Sequence, residues 1–569
     1  MRCVPSLAST STPAPVTNTG PIRLGTRASQ LARTQSALVG DQLASETGRT
    51  WTEVLIRTQG DDTTKPLDQP GSPGLFVSAL RTALLAGEVD VIVHSYKDLP
   101  SAPAPGLLLA AVPPRESPDD VLVSRDSRRL LDLPAGASVG TSSPRRAAAV
   151  HRLRPDLIVR PIRGNVDSRI AKVRSGEYDA TIVAAAGLAR LGRLDEATER
   201  LDIVSAPAQG ALAVECRSDD TVMTELLRRL DDPLARLTTA AEREVLRGID
   251  AACTTAIGAL AHYADGVLSL RAELAEGGHL RVAHASRALP IAALVEARAL
   301  GLLVAGQLRG ADQRGPVLLV RSDSNEADAS ALGDLGIGAV SDPYLSIVPT
   351  SASEGSEADP LLTLLGQAGS DSWLVATSPM TMPTWAEGAG FAELAAACRA
   401  AAGRGVRAGA TGERTAATLR ALGFDDVVVP AESSAAALVE AMAEYGPARA
   451  LFPCGRLALR TLPDGLRRDG WEVHEGIVYD TQVVTETPPS ALLLERGEVA
   501  VVVLRSPSAV RALLAHGRPH PAVLVVCGGD TTARAAREAG LAVAGVSSSP
   551  SSASVAVEVA RVLGVAPQS

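Results

Sequence analysis

Ile22-Arg23-Leu24-Gly25-Thr26-Arg27-Ala28-Ser29-Gln30 joins two periodicities within nine residues. Ile22–Gly25 reads as a short strand, and Ser29–Leu43 as a helix that the Ser29 hydroxyl can cap. The same alternation continues outward. Glu53–Arg57 reads as a strand, Phe76–Ala86 as a helix and Val89–His94 as a strand. Further strands are expected at Ser138–Gly140, Asp156–Arg160 and Asp179–Val183, with a helix over Asn165–Arg174. Strand and helix in regular alternation imply an α/β fold with a largely parallel sheet. A second regime begins near Gly315. The polar stretch Arg309–Arg314 gives way to the apolar strand Pro316–Val320, and the α/β pattern restarts. Ser351–Pro360 reads as a polar linker and Ser548–Ser554 as a Ser-rich loop.

The bulk numbers narrow the function. The chain has 569 residues, enough for about four domains at the usual size. Aromatic residues make up only 2%, which disfavours a base-stacking surface, and the formal charge of -9 disfavours a general polyanion binder. Cys3, Cys216, Cys253, Cys398, Cys454 and Cys527 are scattered without a CxxC pair, so neither a metal site nor a disulfide framework is expected. Residues 1–20 are rich in Ser, Thr and Pro, lack the apolar core of a signal peptide and read as a disordered tail. No apolar run approaches the ~20 residues of a membrane span. A cytoplasmic location is expected.

Cationic residues recur where strands turn into helices. Arg27 stands beside the helix that Ser29 caps. His94-Ser95-Tyr96-Lys97-Asp98-Leu99-Pro100 follows a strand directly, so Lys97 and Asp98 should face a cleft; a buried carboxylate among cations there could move protons. Gly140-Thr141-Ser142-Ser143-Pro144-Arg145-Arg146 opens another helix, and Arg163, Arg169 and Arg190 follow at comparable places. Each alone reads as a capped turn or a solvated charge. Together they suit a small molecule bearing many carboxylates, which guanidinium forks bind in pairs. Cys253 lies in the small-residue loop Ala251-Ala252-Cys253-Thr254-Thr255-Ala256, with room for an adduct.

The ordered segments Gly25–Ser29, His94–Pro100, Gly140–Arg146, Arg163–Arg169, Tyr178–Gly192, Ala208–Arg217 and the Cys253 loop make residues 22–305 resemble porphobilinogen deaminase. The resemblance implies two lobes like those of periplasmic binding proteins plus a small α+β domain. It also implies a dipyrromethane cofactor joined to Cys253 by a thioether, and condensation of four porphobilinogens into hydroxymethylbilane. Asp98 matches the catalytic carboxylate. Lys97, Ser142, Arg145 and Arg146 match cofactor-binding groups, and Arg27, Ser29, Arg163, Arg169 and Arg190 match substrate-binding ones. Departures occur at Pro73, where many relatives have Lys, and at Ala251, Ala252 and Ala256, where they have Gly, Gly and Pro.

The second half carries softer signals. Ala376-Thr377-Ser378-Pro379, Leu504-Arg505-Ser506-Pro507 and Cys527-Gly528-Gly529-Asp530-Thr531-Thr532 each pass from an apolar run through a hydroxyl-rich turn into a helix. With Gly412–Ala416, Leu451–Arg456 and Gly476–Tyr479 they make residues 315–565 resemble uroporphyrinogen-III synthase. That resemblance implies two parallel-sheet α/β domains, no cofactor, and closure of hydroxymethylbilane with inversion of ring D. Tyr479 matches a cleft tyrosine that assists hydroxyl departure, while Ser378, Ser506, Thr531 and Thr532 are candidates for substrate carboxylates. Arg505 and Cys454 depart from the Thr and Arg common in relatives.

The expected division is a tail over 1–20, a deaminase over 21–310 and a synthase over 315–569. Within the deaminase, one lobe covers 21–115 and 212–232, a second 116–211, and the cofactor domain 233–310. Within the synthase, one domain covers 315–348 and 482–569, the other 349–481. Porphobilinogen and hydroxymethylbilane are the expected partners, with no nucleic acid, membrane or metal, and a monomer is expected. Two alternatives compete: a deaminase with an inactive structural C-terminal half, and a non-catalytic solute-binding or sensor module.

Overall fold

The computed structural model describes residues 20–56, 75–102, 104–250, 255–321, 325–350, 359–432 and 434–565. Cys253, its neighbours Ala251, Ala252 and Thr254, and Pro73 lie outside the described residues.

Among the described residues, five sheets organise the chain. The first has the order Trp51–Leu55, Ile22–Thr26, Val91–Ser95, Leu212–Arg217, Leu107–Ala111. The helix Gln30–Thr47 packs on it, with the Ser29 hydroxyl accepting from Ala32 N–H and Gly48 closing the helix in the left-handed conformation. Gly40 on that helix faces the Trp51 ring, where a Cβ would come within 2.5 Å of ring atoms. The second sheet has the order Ile158–Arg160, Ser138–Gly140, Ala180–Ala184, Asp120–Ser124, Glu199–Leu201.

The expectation of largely parallel sheets needs correction here. Leu212–Arg217 runs antiparallel to both its neighbours, and so does Asp120–Ser124. The physical reason is that the chain crosses from the first sheet to the second near 112–119 and returns near 202–211, so each sheet receives a strand from a crossing segment rather than from a helical crossover. The two crossings touch. Gly210 has φ +89, and a Cβ there would stand 2.3 Å from the Glu116 carbonyl oxygen.

The third sheet is an antiparallel meander, Ala256–Ala264, Val267–Glu276 and His279–Ala288, covered by the helices Pro233–Gly248 and Leu294–Leu308. The fourth, with order Ala339–Ser341, Val317–Leu319, Val501–Leu504, Leu524–Cys527, Val543–Val546, is parallel throughout. The fifth runs Leu345–Pro349, Glu472–Val483, Arg449–Gly455, Ser372–Ala376, Arg407–Ala410, Val427–Val428. It is parallel except for Leu345–Pro349, which pairs antiparallel with Glu472–Val483 because both strands connect the last two sheets in opposite directions.

The helix Leu294–Leu308 is buried over most of its surface, at Ala297, Ala299, Leu300, Gly301, Leu302, Val304, Ala305, Gly306 and Leu308. A helix with so wide an apolar surface needs more than one partner. One side covers the antiparallel meander. The same core runs on without a break through Leu318, Val340, Leu493 and Leu494 of the second half.

Candidate active site

Strand Val91–Ser95 ends in one helical turn, Tyr96–Asp98, which sets Lys97 and Asp98 at the carboxyl edge of the first sheet. Lys97 Nζ donates to Gln209 Oε1 at 3.1 Å. Burial pushes the Lys97 ammonium down to about 8; Arg146 adds to the shift, and Asp98 and Asp120 oppose it. Asp98 is exposed. The buried carboxylate among these cations is Asp120, on the second sheet.

Asp120 was missed in the sequence. It begins the strand Asp120–Ser124, is fully buried, and joins the groups that motif reading singled out. Arg145 donates to Oδ2 at 2.6 Å, and Arg146 donates to Oδ1 through Nε at 2.9 Å and Nη2 at 2.7 Å. Gln209 Nε2 donates to Oδ1 at 3.1 Å, which ties Lys97 into the same network. Burial alone would raise the Asp120 carboxyl; Arg146 and Arg145 outweigh it and hold it well below the usual range. Two adjacent arginines at a helix start need a counter-charge, and an aspartate opening an apolar strand was the available signal. Replacing Asp120 with Asn leaves two enclosed guanidiniums short of a charge. Asp120→Asn is expected to lower stability by about 3–5 kcal/mol. Equilibrium denaturation checks this, and an unchanged midpoint and slope would remove Asp120 from the account.

The remaining candidates divide by what they touch. Ser142 donates to the Ile162 carbonyl at 2.8 Å and accepts from Ile162 N–H at 3.2 Å, fixing the turn that carries Arg163, which is exposed. Arg169 lies between, with Nε on the Gly164 carbonyl at 2.9 Å; burial and then Arg146 lower its pKa, and Asp98 opposes them. Lys97, Asp98, Arg146 and Arg169 thus share one electrostatic neighbourhood. Arg27 and Ser29 are half-buried at the end of the first strand. Arg190 donates to the Gly210 carbonyl at 2.7 Å, so it pins helix Ala185–Arg190 to a crossing segment.

Glu242, on helix Pro233–Gly248, holds both crossings to the third sheet. It accepts both ends of the Arg115 fork at 2.8 and 2.9 Å, Ala208 N–H at 2.7 Å and Ala261 N–H at 2.9 Å. Arg115 also donates to the Gln209 carbonyl at 2.9 Å.

In the second half, Ser378 follows strand Ser372–Ala376 and accepts from Met380 N–H at 3.2 Å. Ser506 caps helix Pro507–Ala515, and Thr531 and Thr532 sit in the first turn of Asp530–Glu538, the former exposed and the latter buried. Ser378 belongs to the fifth sheet, Ser506, Thr531 and Thr532 to the fourth. Tyr479 is on the connecting strand Glu472–Val483, its ring laid over Gly455, where a Cβ would meet it at 2.3 Å. Arg505 is drawn to the buried Asp328 at 3.4 Å and to the Pro550 carbonyl, so it braces the fourth sheet's carboxyl edge. Burial pushes the Cys454 thiol up to about 11. Among the described residues no cluster of three or more His, Cys, Asp or Glu side chains could hold a metal.

Comparison with known proteins finds two families along the chain. The family model for the porphobilinogen deaminase dipyrromethane cofactor binding domain matches residues 22–225, and that for uroporphyrinogen-III synthase HemD matches residues 326–556. A porphobilinogen deaminase from Mycobacterium leprae is 46% identical over 314 residues, covering 53% of this chain and 98% of the relative. One from Nocardia farcinica is 50% identical over 250 residues, 43% of this chain and 72% of the relative. Among solved structures, a mutant uroporphyrinogen III synthase from the extreme thermophile Thermus thermophilus matches at 20% identity and TM-score 0.29, covering 44% of this chain and 99% of that one. The chain belongs to the porphobilinogen deaminase family, with a uroporphyrinogen-III synthase domain following in the same polypeptide.

Proposed function

We propose that this single chain condenses four porphobilinogens into hydroxymethylbilane and then closes that product, with ring D inverted, to uroporphyrinogen III. The observation that carries the reading is the succession of the two family models on one polypeptide, the second acting on the product of the first. We read 21–310 as the deaminase, with two lobes like those of periplasmic binding proteins and a cofactor domain over 233–310, and 315–569 as the synthase. No helix among the described residues is long and apolar enough to cross a membrane. A cytoplasmic monomer fits this reading.

The cofactor fits the deaminase site by charge. Four cations, Lys97, Arg145, Arg146 and Arg169, stand against three carboxylates, Asp98, Asp120 and Glu273. The excess suits a group carrying several carboxylates. When bound through Cys253, dipyrromethane supplies the pyrrole carbon to which porphobilinogen is added. Asp120 is the fixed counter-charge that orients Arg145 and Arg146. Asp98, which is exposed, is the candidate to accept a pyrrole N–H and to steady positive charge as ammonia leaves. In the second half, the Tyr479 hydroxyl is the candidate donor to the departing hydroxyl of the bilane, while Ser378, Ser506, Thr531 and Thr532 offer hydroxyl and backbone N–H groups to its carboxylates. The intact mass of the purified chain tests the first step: an increment of one dipyrromethane is expected, and a bare polypeptide that consumes porphobilinogen without it would overturn the cofactor assignment.

Lys97 makes the first step pH-dependent. Its proton leaves at about pH 8 in the fold and at about 10.4 in the unfolded chain. Between those values the unfolded chain holds more protons, so this group makes stability rise with pH. Function moves oppositely, because the cation that receives a carboxylate is lost. KM for porphobilinogen is expected to climb from about pH 8 to about pH 10, the midpoint shifting upward when carboxylates are bound. Lys97→Met should show a raised, flat KM over that range. A flat profile in the unaltered protein would contradict the assignment.

A further inference from the structure

The deaminase's third domain ends where the synthase begins, and the two are bound by more than the connection between them. Arg247, in the last turn of helix Pro233–Gly248, donates to Asp342 Oδ1 at 2.7 Å, just past strand Ala339–Ser341 of the synthase. Asp342 is 2% exposed, and its other oxygen accepts Ser490 N–H at 2.8 Å. On the deaminase side Arg247 Nε donates to Glu244 at 2.6 Å, and Glu244 takes Arg298 of helix Leu294–Leu308 at 3.0 Å. Just past the end of that second helix, Arg309 donates to the Ile249 carbonyl at 2.8 Å. The end of helix Pro233–Gly248 is therefore clamped at two points, one of them from the synthase. The same helix carries Glu242, which grips Arg115, Ala208 and Ala261.

We infer that Asp342 of the synthase half is a positioning residue for the deaminase reaction, acting through Arg247 on the helix that leads to Cys253 and that holds the lobe crossings through Glu242. This rests on the reading of the first half as a deaminase. Burial of Asp342 explains why it can act as a geometric stop rather than a flexible surface contact: its carboxylate is enclosed, and the half-buried Arg247 is held by Glu244 on its other side. Arg287–Glu498, at 2.7 Å and partly exposed, also bridges the halves but touches neither that helix nor the crossings, and it serves as a control.

The test uses the full-length protein with its cofactor attached and porphobilinogen as substrate. The cation cluster of Lys97, Arg145, Arg146 and Arg169 is on the lobes and is untouched, so KM should hold while kcat falls. Asp342→Asn is expected to lower kcat at least about tenfold, within the ~100-fold that a 1 Å misplacement can cost. Asp342→Glu should recover part of it, and Glu498→Gln should match the unaltered protein. If Asp342→Asn does not fold, Arg309→Gln, which removes the second clamp from a partly exposed position, should lower kcat with the same unchanged KM. Unaltered kcat in these variants, or an equal loss in Glu498→Gln, would overturn the inference. An unaltered protein that leaves porphobilinogen unconsumed would instead overturn the deaminase reading.

Discussion

Cys253→Ser should give a folded chain that lacks the dipyrromethane increment and forms no bilane. A serine hydroxyl, with a far higher pKa than a thiol, does not supply the nucleophile that a cysteine does. The loss is expected to be total because every turnover uses the same attachment. The described cysteines are not expected to substitute for it. Cys216, Cys398, Cys454 and Cys527 are buried, and burial raises the thiol pKa of each, to about 12 for Cys398 and about 11 for Cys454 and Cys527. Mass spectrometry of the variant decides the matter. An increment on Cys216 or another cysteine would refute the assignment.

Asp98→Asn is expected to have the second largest effect, a loss of at least about 100-fold in kcat, the low end for an acid–base group. Asparagine preserves size but removes both the proton acceptor and the negative charge. Because Asp98 is exposed and its loss exposes no core, the denaturation midpoint should change little. Asp120→Asn separates from it cleanly: there stability falls first. A rate within a few-fold of the unaltered protein would remove Asp98 from its role.

Local chemistry was legible and long-range pairing was not. Ser29 caps the helix that its position in the sequence foretold, because a cap is decided within four residues; Ser143 and Asn165 cap the two helices expected after them. Strand direction was not legible. Asp120–Ser124 and Leu212–Arg217 are apolar runs, and an apolar run carries no arrow. The motifs located Lys97, Arg145 and Arg146, but neither Asp120 nor the role of Gln209, which bind them together, since those partners are up to 112 residues apart. One signal was present and went unread. Leu294–Leu308 is mostly apolar, with nine buried residues, and part of what covers it is the second half of the chain.

The central claim is that both steps occur on one polypeptide, and the isomer of the product tests it most directly. Unaided, hydroxymethylbilane closes to the symmetrical type I ring, so inversion of ring D is a signature of the synthase half. Full-length protein given porphobilinogen alone should yield mainly uroporphyrinogen III by chromatography. Hydroxymethylbilane accumulating, followed by type I on standing, would contradict the account and leave the second half without its activity.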